Sequence, residues 1–365
     1  MKKIKVAIAG IGNCASSLIQ GIEYYREVDK KSGFVPGILN NVLGNYCIRD
    51  IEFVACFDVD KNKVGKDLSK AIFSTPNCAS IFCEIPYSGI KVLRGPVLDG
   101  LNGYLKQIIP VDRHQPEVNV SDILIESSAD ILINYLPTGS KKATEYYAQQ
   151  ALNAQCGFIN GIPEPIASSK IWRDKYYQAD LPLVGDDIKS QLGATPLHRS
   201  LIDLFSRGGC KITNSRQENI GSNTDFYNLS NPERVKSKIN CKVTALQNLI
   251  PYATNISVDI KYEDKSCNDN CSDAKKVRIH IDGENFGSRP IILDVELYVE
   301  DSPNGAGAMV DVIRTMKIAL DRGDSGVIDP ICGKYFKHPP VPCDDLTAIQ
   351  ELKKYLSDRR DTLGA

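Results

Sequence analysis

"IKVAIAGIGNCASSLIQGIEYY", residues 4–25, decides the fold. A near-continuous apolar run ends at a glycine pair, and Leu18, Ile19, Ile22 and Tyr25 then recur at helical spacing. Gly10-x-Gly12-x-x-Ala15 therefore stands between a strand and a helix. The first glycine permits the tight turn, and the second lets backbone approach a pyrophosphate. Ala15 allows close helix–strand packing. A phosphate would sit on the helix N-terminus at Asn13 and Cys14, where unpaired N–H groups favour an anion. The next strand, "IEFVACFDVD", ends at Asp58, the position type that binds a ribose 2′-hydroxyl and disfavours a 2′-phosphate. This predicts NAD rather than NADP. The gap to Asp58 is about twice the usual ~20 residues, because residues 29–49 intervene as a Gly/Asn-rich excursion.

Further along, "DILINYLPTGS" gives a strand and a turn at the sheet edge where open α/β folds bind ligands. Asn134, Thr138 and Gly139 are candidates for the cofactor, or members of an ordinary Pro-Thr-Gly turn. The segment 76–100 reads as loop. Strands alternate with helices to about residue 200, which predicts an α/β, Rossmann-type doubly wound parallel sheet. After that, "VDIKY", "KVRIHIDGENFG" and "PIILDVELYVED" read as alternating strands of antiparallel type. "GAGAMVDVIRTMKIALDRG" reads as an amphipathic helix returning to the first domain. The expected division is 1–195 plus 301–365 for a discontinuous NAD-binding domain. Residues 196–300 would form an α+β catalytic and tetramerisation domain.

Bulk properties narrow the function. The 365 residues are 42% hydrophobic and 24% charged, with a formal net charge of −1. Such a balance gives no electrostatic reason to expect nucleic acid or an anionic membrane. No apolar run reaches transmembrane length, so a cytoplasmic protein is expected. Twelve cysteines are scattered through the chain and read as reduced thiols. Cys267 and Cys271 form the one close pair, read as a polar loop, and no His/Cys/carboxylate cluster identifies a metal. No Gly-Lys phosphate loop, His-Glu-x-x-His helix or Ser-His-Asp order is present.

"GDDIKSQLGAT", residues 185–195, raises a sharper question: two carboxylates and a lysine at a strand-to-helix junction. Asp186 and Asp187 would be helix caps in a structural reading. Together with "NIGSNTDFYNL", "VKSKINCKV" and "DSPNGAGAMVDVIRTMKIALDRG", the motif resembles inositol-1-phosphate synthase in its shorter bacterial and archaeal form, from about residue 4 to 342. That resemblance implies conversion of D-glucose 6-phosphate to 1-myo-inositol phosphate by a homotetramer. NAD would oxidise C5, enolisation and an intramolecular aldol step would follow, and NADH would return the hydride. Negative charge develops on oxygens at each stage, and fixed cations are the usual remedy.

By the same resemblance Lys189, Lys238, Lys242, Lys275 and Lys337 are catalytic candidates, with Asp187 beside them and Asp273 orienting Lys275. Asp186 would contact the cofactor. Asn219, Asn223, Asp225 and Ser190 would contact the sugar. His198 and His338 show no partner in sequence and read as packing or surface residues. A sugar-phosphate dehydrogenase with net NADH production and a non-catalytic NAD-binding regulator remain the alternatives.

Overall fold

The computed structural model describes residues 3–263 and 272–358; the Cys267/Cys271 pair lies outside the described residues. Thirteen strands are present among the described residues. In chain order they are β1 (Ile4–Ala9), β2 (Val42–Leu43), β3 (Tyr46–Cys47), β4 (Ile51–Asp58), β5 (Val92–Arg94), β6 (Ile131–Asn134) and β7 (Gly157–Asn160). Then follow β8 (Pro182–Val184), β9 (Lys211–Gly221), β10 (Asn255–Tyr262), β11 (Ala274–Asn285), β12 (Arg289–Glu300) and β13 (Gly326–Val327).

Seven of these form one sheet in the order β13-β8-β7-β6-β1-β4-β5, every pairing parallel. The period of two along β1 explains its two-sided burial. Ile4, Val6 and Ile8 enter one core cluster, while Ala7 and Ala9 enter the cluster on the opposite face. The order reverses between β1 and its neighbours β4 and β6. A crevice must therefore open where the loops after β1 and β6 diverge. The segment 76–100, read as loop, contributes β5 at the sheet edge.

A second sheet has the order β10-β9-β11-β12. Val277, Ile279 and Ile281 of β11 face a core formed with Ile202, Phe205 and Leu246 of two covering helices, Ala194–Arg207 and Pro232–Gln247. The expectation of antiparallel strands holds for β9–β11 and β11–β12, but β9–β10 is parallel. Helices Thr224–Leu229 and Pro232–Gln247 intervene between β9 and β10, and a crossover of that kind returns the chain in the same direction.

The Asp301–Arg322 helix is also not amphipathic as read. Residues 308–319 are buried on every side, by the Asn13–Tyr24 helix, the first sheet and the 29–49 excursion. Its charges survive there because they are paired. Arg314 is fully buried, pairs with Asp311 and donates to the carbonyls of Asn40 (2.7 Å) and Asn41 (3.2 Å). Lys317 meets Asp321 at 2.8 Å and Asp130 at 3.3 Å. No helix among the described residues is long and apolar enough to cross a membrane. Among the described residues nine cysteines are free thiols, as expected, but Cys78 is disulfide-bonded, which corrects the reading of the cysteines as reduced throughout.

Candidate active site: a lysine cluster at the switch point

A cleft of about 250 Å³ opens beyond the carboxyl ends of β1, β4 and β6. Gly10 makes the turn after β1 with φ +93°, and a Cβ there would lie 2.6 Å from the Tyr135 carbonyl oxygen. Only glycine allows that approach. Asp58 anchors the same turn by accepting from Ile11 N at 2.8 Å, and also receives Val59 N and Asp60 N. Gly12, Asn13 and Cys14 line the cleft at the start of the Asn13–Tyr24 helix.

The opposite wall is cationic. Lys238, Lys242, Lys275 and Lys337 all reach it. Asp187 has φ +62°, an uncommon conformation for a side-chain-bearing residue and one concentrated at functional sites. Its Oδ1 accepts from both Lys238 Nζ and Lys337 Nζ at 3.0 Å. Lys337 is brought there by an antiparallel bridge between Ile188 and Phe336. Lys337 N donates to Asp187 O at 2.8 Å, and His338 N to Asp186 O at 3.1 Å. Lys275 pairs with Asp301 at 3.1 and 3.2 Å. Arg234, Lys238 and Lys242 recur every fourth residue along one helix. Arg234 donates to Thr138 O at 2.8 Å, joining that helix to the turn after β6.

Electrostatics separate Lys238, Lys242 and Lys337. Burial lowers the pKa of these three amines, so the partner decides the outcome. Lys238 overcomes burial through Asp187 and Asp225 and is held above the ordinary lysine range. Lys337 is lowered by burial, with Asp187 opposing. Lys242 is pushed well below the ordinary range by burial and by the cations of Lys275, Lys337 and Lys238. It makes no ion pair among the described residues; its Nζ donates to Asn219 Oδ1 at 3.3 Å. Burial would raise Asp187, but Lys238 and Lys337 outweigh it and hold the carboxyl below its usual range.

Nine buried polar side-chain atoms lack a hydrogen-bond partner among the described residues. Five belong to residues lining this cleft: Asp60, Tyr135, Asp187, Thr195 and Asn228. Native interiors seldom leave such groups unpaired, so their convergence marks a place shaped for a polar ligand.

Residues 193–302 match the family model for myo-inositol-1-phosphate synthase. The chain is 43% identical over 360 residues to inositol-3-phosphate synthase of Corynebacterium glutamicum, covering 97% of this chain and 98% of the relative. It is 41% identical to the enzyme of the same name from Mycolicibacterium smegmatis, covering 97% and 98%. The chain belongs to the inositol-3-phosphate synthase family. In fold it matches a myo-inositol-1-phosphate synthase-related protein from Thermotoga maritima with a TM-score of 0.79, over 97% of this chain and 98% of that one, at 23% identity. The family is one of isomerase-type enzymes.

Several residues expected at this synthase-family site lie elsewhere. Lys189 does not line the cleft; its Nζ donates to Gly333 O at 2.9 Å and to Asp345 at 3.2 Å. Burial depresses its pKa to about 8, with Asp345 opposing. Asp345 also receives Arg199, which donates to Cys343 O as well, so this group fastens the segment carrying Lys337. Lys189→Met is therefore expected to cost about 1–3 kcal/mol by orphaning the Gly333 carbonyl, read as a lowered urea midpoint. It should reduce kcat less than loss of a lysine in the cleft.

Asp186 is likewise enclosed by Asn160, Ile166 N, Ala167 N and Ser168. Asn134 is fully buried and engaged with Thr144 and Asn160, and Gly139 N meets Glu164; neither lines the cleft. Asp273 does not orient Lys275. It accepts from Asn223 and Ser302, and burial together with nearby Asp301 raises its pKa to about 7. Asn219 touches Lys242 from behind the cleft wall. Asp58, Thr138, Ser190, Asn223 and Asp225 do line it. Sequence reasoning missed Asp301, Asp60 and Thr195; for Asp301 the available signal was a carboxylate opening the "DSPNGAGAM" helix.

The nucleotide cofactor that the family suggests fits these residues. A Cβ on Gly12 would meet no protein atom within 4 Å, so the turn faces open space; Asp60, whose Oδ2 has Lys63 Nζ at 4.0 Å but no hydrogen-bond partner among the described residues, lies beyond β4. Gly12→Val is expected to fold normally, because its φ of −98° suits any residue. It should weaken binding of the nucleotide cofactor by about 100-fold or more, roughly 2.7 kcal/mol, read by fluorescence titration with NADH as the probe.

Proposed function

We propose that this chain converts D-glucose 6-phosphate to 1-myo-inositol phosphate with NAD and no net redox change. The observation that carries the proposal is the division of labour in the cluster: one buried lysine without a carboxylate beside three that have one. The Gly10–Gly12 turn, the helix start at Asn13 and Cys14, Asp58, Asp60 and Thr138 would hold NAD. When bound, that cofactor supplies hydride removal from C5 and its return to the ring.

Lys242 enters as the free amine and accepts a proton from C6 of the 5-keto sugar, whose carbonyl has acidified it. A crowded, desolvated lysine suits this task at neutral pH. Lys238 and Lys337, fixed by Asp187, remain charged and stabilise the enolate oxygen. The enolate carbon bonds to C1, and the resulting C1 oxyanion takes its proton from the Lys242 ammonium, restoring the amine. Preorganised cations act here without reorganisation cost. Lys275, held by Asp301, faces the substrate phosphate, and Ser190, Asn223 and Asp225 face sugar hydroxyls.

The test is one incubation of glucose 6-phosphate with catalytic NAD. Inositol phosphate without accumulating NADH supports the proposal. Stoichiometric NADH would instead identify a dehydrogenase, and no turnover a binding protein. We extend the proposal to a cytoplasmic homotetramer joined through the four-stranded sheet, whose edge strand β12 exposes Ile292 and Tyr298. Light scattering checks the assembly state.

A further inference from the structure

Strand β9 breaks the pattern of a core strand. Ser215, Gln217 and Asn219 occupy alternate positions and are almost completely buried, beside an apolar cluster containing Ile202, Phe205 and Val277. Three buried polar side chains on one strand face are costly unless fully hydrogen-bonded. They are bonded, in a single line that ends at the cleft. His198, also fully buried, places Nε2 at 2.6 Å from Ser215 Oγ and Nδ1 at 3.2 Å from Gln217 Oε1. Gln217 Nε2 donates to Asn219 Oδ1 at 3.1 Å, and Lys242 Nζ donates to the same oxygen at 3.3 Å.

The proton positions along this line are forced from its cleft end. The Asp259 carbonyl, which receives Asn219 Nδ2 at 3.1 Å, can only accept, so it orients the Asn219 amide whatever the charge on Lys242. Asn219 therefore has one permitted orientation, with Oδ1 toward Lys242. Gln217 must then present its NH₂ to that oxygen and its carbonyl to His198. The imidazole must carry its proton on Nδ1, leaving Nε2 to accept from Ser215. Burial, with Lys242 nearby, depresses His198 to about 4, so the ring stays neutral while the chemistry runs.

We propose that His198 is a positioning residue: acting through Gln217 and Asn219, it holds the acceptor that aims the Lys242 amine and sets its basicity. This role rests on the base function of Lys242 proposed above. The charged groups facing Lys242 are Lys238 on its own helix, Lys275 from β11, Lys337 from the segment after the Asp329–Tyr335 helix, and Asp187 from the turn after β8. Against three cations and one shared carboxylate, the Asn219 oxygen is the neutral group that decides where the amine points. Loss of His198 frees the Gln217 amide to turn its oxygen toward Asn219. Asn219 is then displaced, and Lys242 loses its acceptor.

Two measurements on the full chain test this. Long-range ¹H–¹⁵N spectra of the wild-type protein should show His198 as the Nδ1–H tautomer, unchanged from about pH 5 to about pH 9. The Nε2–H tautomer, or titration inside that range, overturns the relay without any variant. Steady-state kinetics then compare His198→Phe with His198→Asn, whose Nδ2 overlays the imidazole Nδ1. In the Phe variant kcat should fall about tenfold, a fraction of what a general base contributes, with KM within twofold. The acid limb of the kcat profile should move to lower pH, because an ammonium deprived of its acceptor is easier to deprotonate. The Asn variant should recover wild-type kcat to within threefold. Profiles that superimpose on wild type, or equal losses in both variants, overturn the positioning role. If wild type itself makes no inositol phosphate, the catalytic proposal fails, while the tautomer still decides the relay.

Discussion

Lys242→Met is expected to lower kcat by about 100- to 10,000-fold, the usual contribution of a general base, with a far smaller change in KM. Methionine retains the length and apolar stem of lysine and removes only the amine. The fold should tolerate it, since burial and three neighbouring cations already work against the ammonium. Asn219 Oδ1 keeps the Gln217 donor, so no acceptor is orphaned. Stability should accordingly hold or rise.

The pH dependence gives a second readout. A lysine lowered in the folded state binds fewer protons there than in the unfolded chain. The penalty for burying its ammonium is thus complete at low pH. It is relieved as pH climbs from the depressed folded value toward the ordinary lysine range near ~10.4, at up to roughly 1.4 kcal/mol per pH unit. Wild type should gain stability through that window, and Lys242→Met should gain less. Urea titrations at several pH values decide the point. Unaltered kcat in this variant removes Lys242 from the chemistry.

Asp187→Asn is expected to be the most destabilising single change in the cleft, by roughly 3–5 kcal/mol. One carboxylate, 1% exposed, serves two ammonium groups, and the amide withdraws the charge from both. Asp187 titrates below its usual range in the folded state, so its contribution is complete above the unfolded value near ~3.9 and is lost as pH falls below it. The Asn variant should lack that acid-side slope. It should recover stability at alkaline pH, where Lys337, already lowered, sheds its charge first. An equal deficit at pH 7 and at high pH would show that Asp187 acts through shape rather than charge. Turnover should fall as well, since both cations proposed to face the enolate lose their anchor.

Much of this was legible in the sequence, for identifiable reasons. The glycine turn announces itself because strand, turn and helix requirements coincide within 20 residues. Lys238 and Lys242 of "VKSKINCKV", and Lys337, which the family resemblance singles out, do reach the cleft. Lys189 was misplaced because adjacency in sequence is a poor guide across a turn. Asp187 adopts positive φ, and the chain beyond it sends Lys189 to the opposite side, toward Asp345. The partner of Lys275 was missed because Asp301 lies 26 residues away, beyond the β11–β12 hairpin, and reaches it only once those strands pair. Asp273, two residues from Lys275, looked the better partner until Ser302 and Asn223 were seen to claim it. His198 has no signal of its own in the sequence; the available signal was the polar series Ser215, Gln217 and Asn219 at alternate positions of β9, where a core strand would carry apolar residues.

Lys337 and Asp187 stand 150 positions apart, and β13, which closes one edge of the parallel sheet, is also encoded late. During translation, then, the glycine turn and most of its supporting strands leave the ribosome well before the last ammonium group arrives. A polypeptide cut short before residue 301 would leave Ile4, Val6 and Ile8 without Met309, Ile313 and Met316, which fill the same core cluster. The crevice and the lysine cluster are therefore completed together, by the last third of the chain.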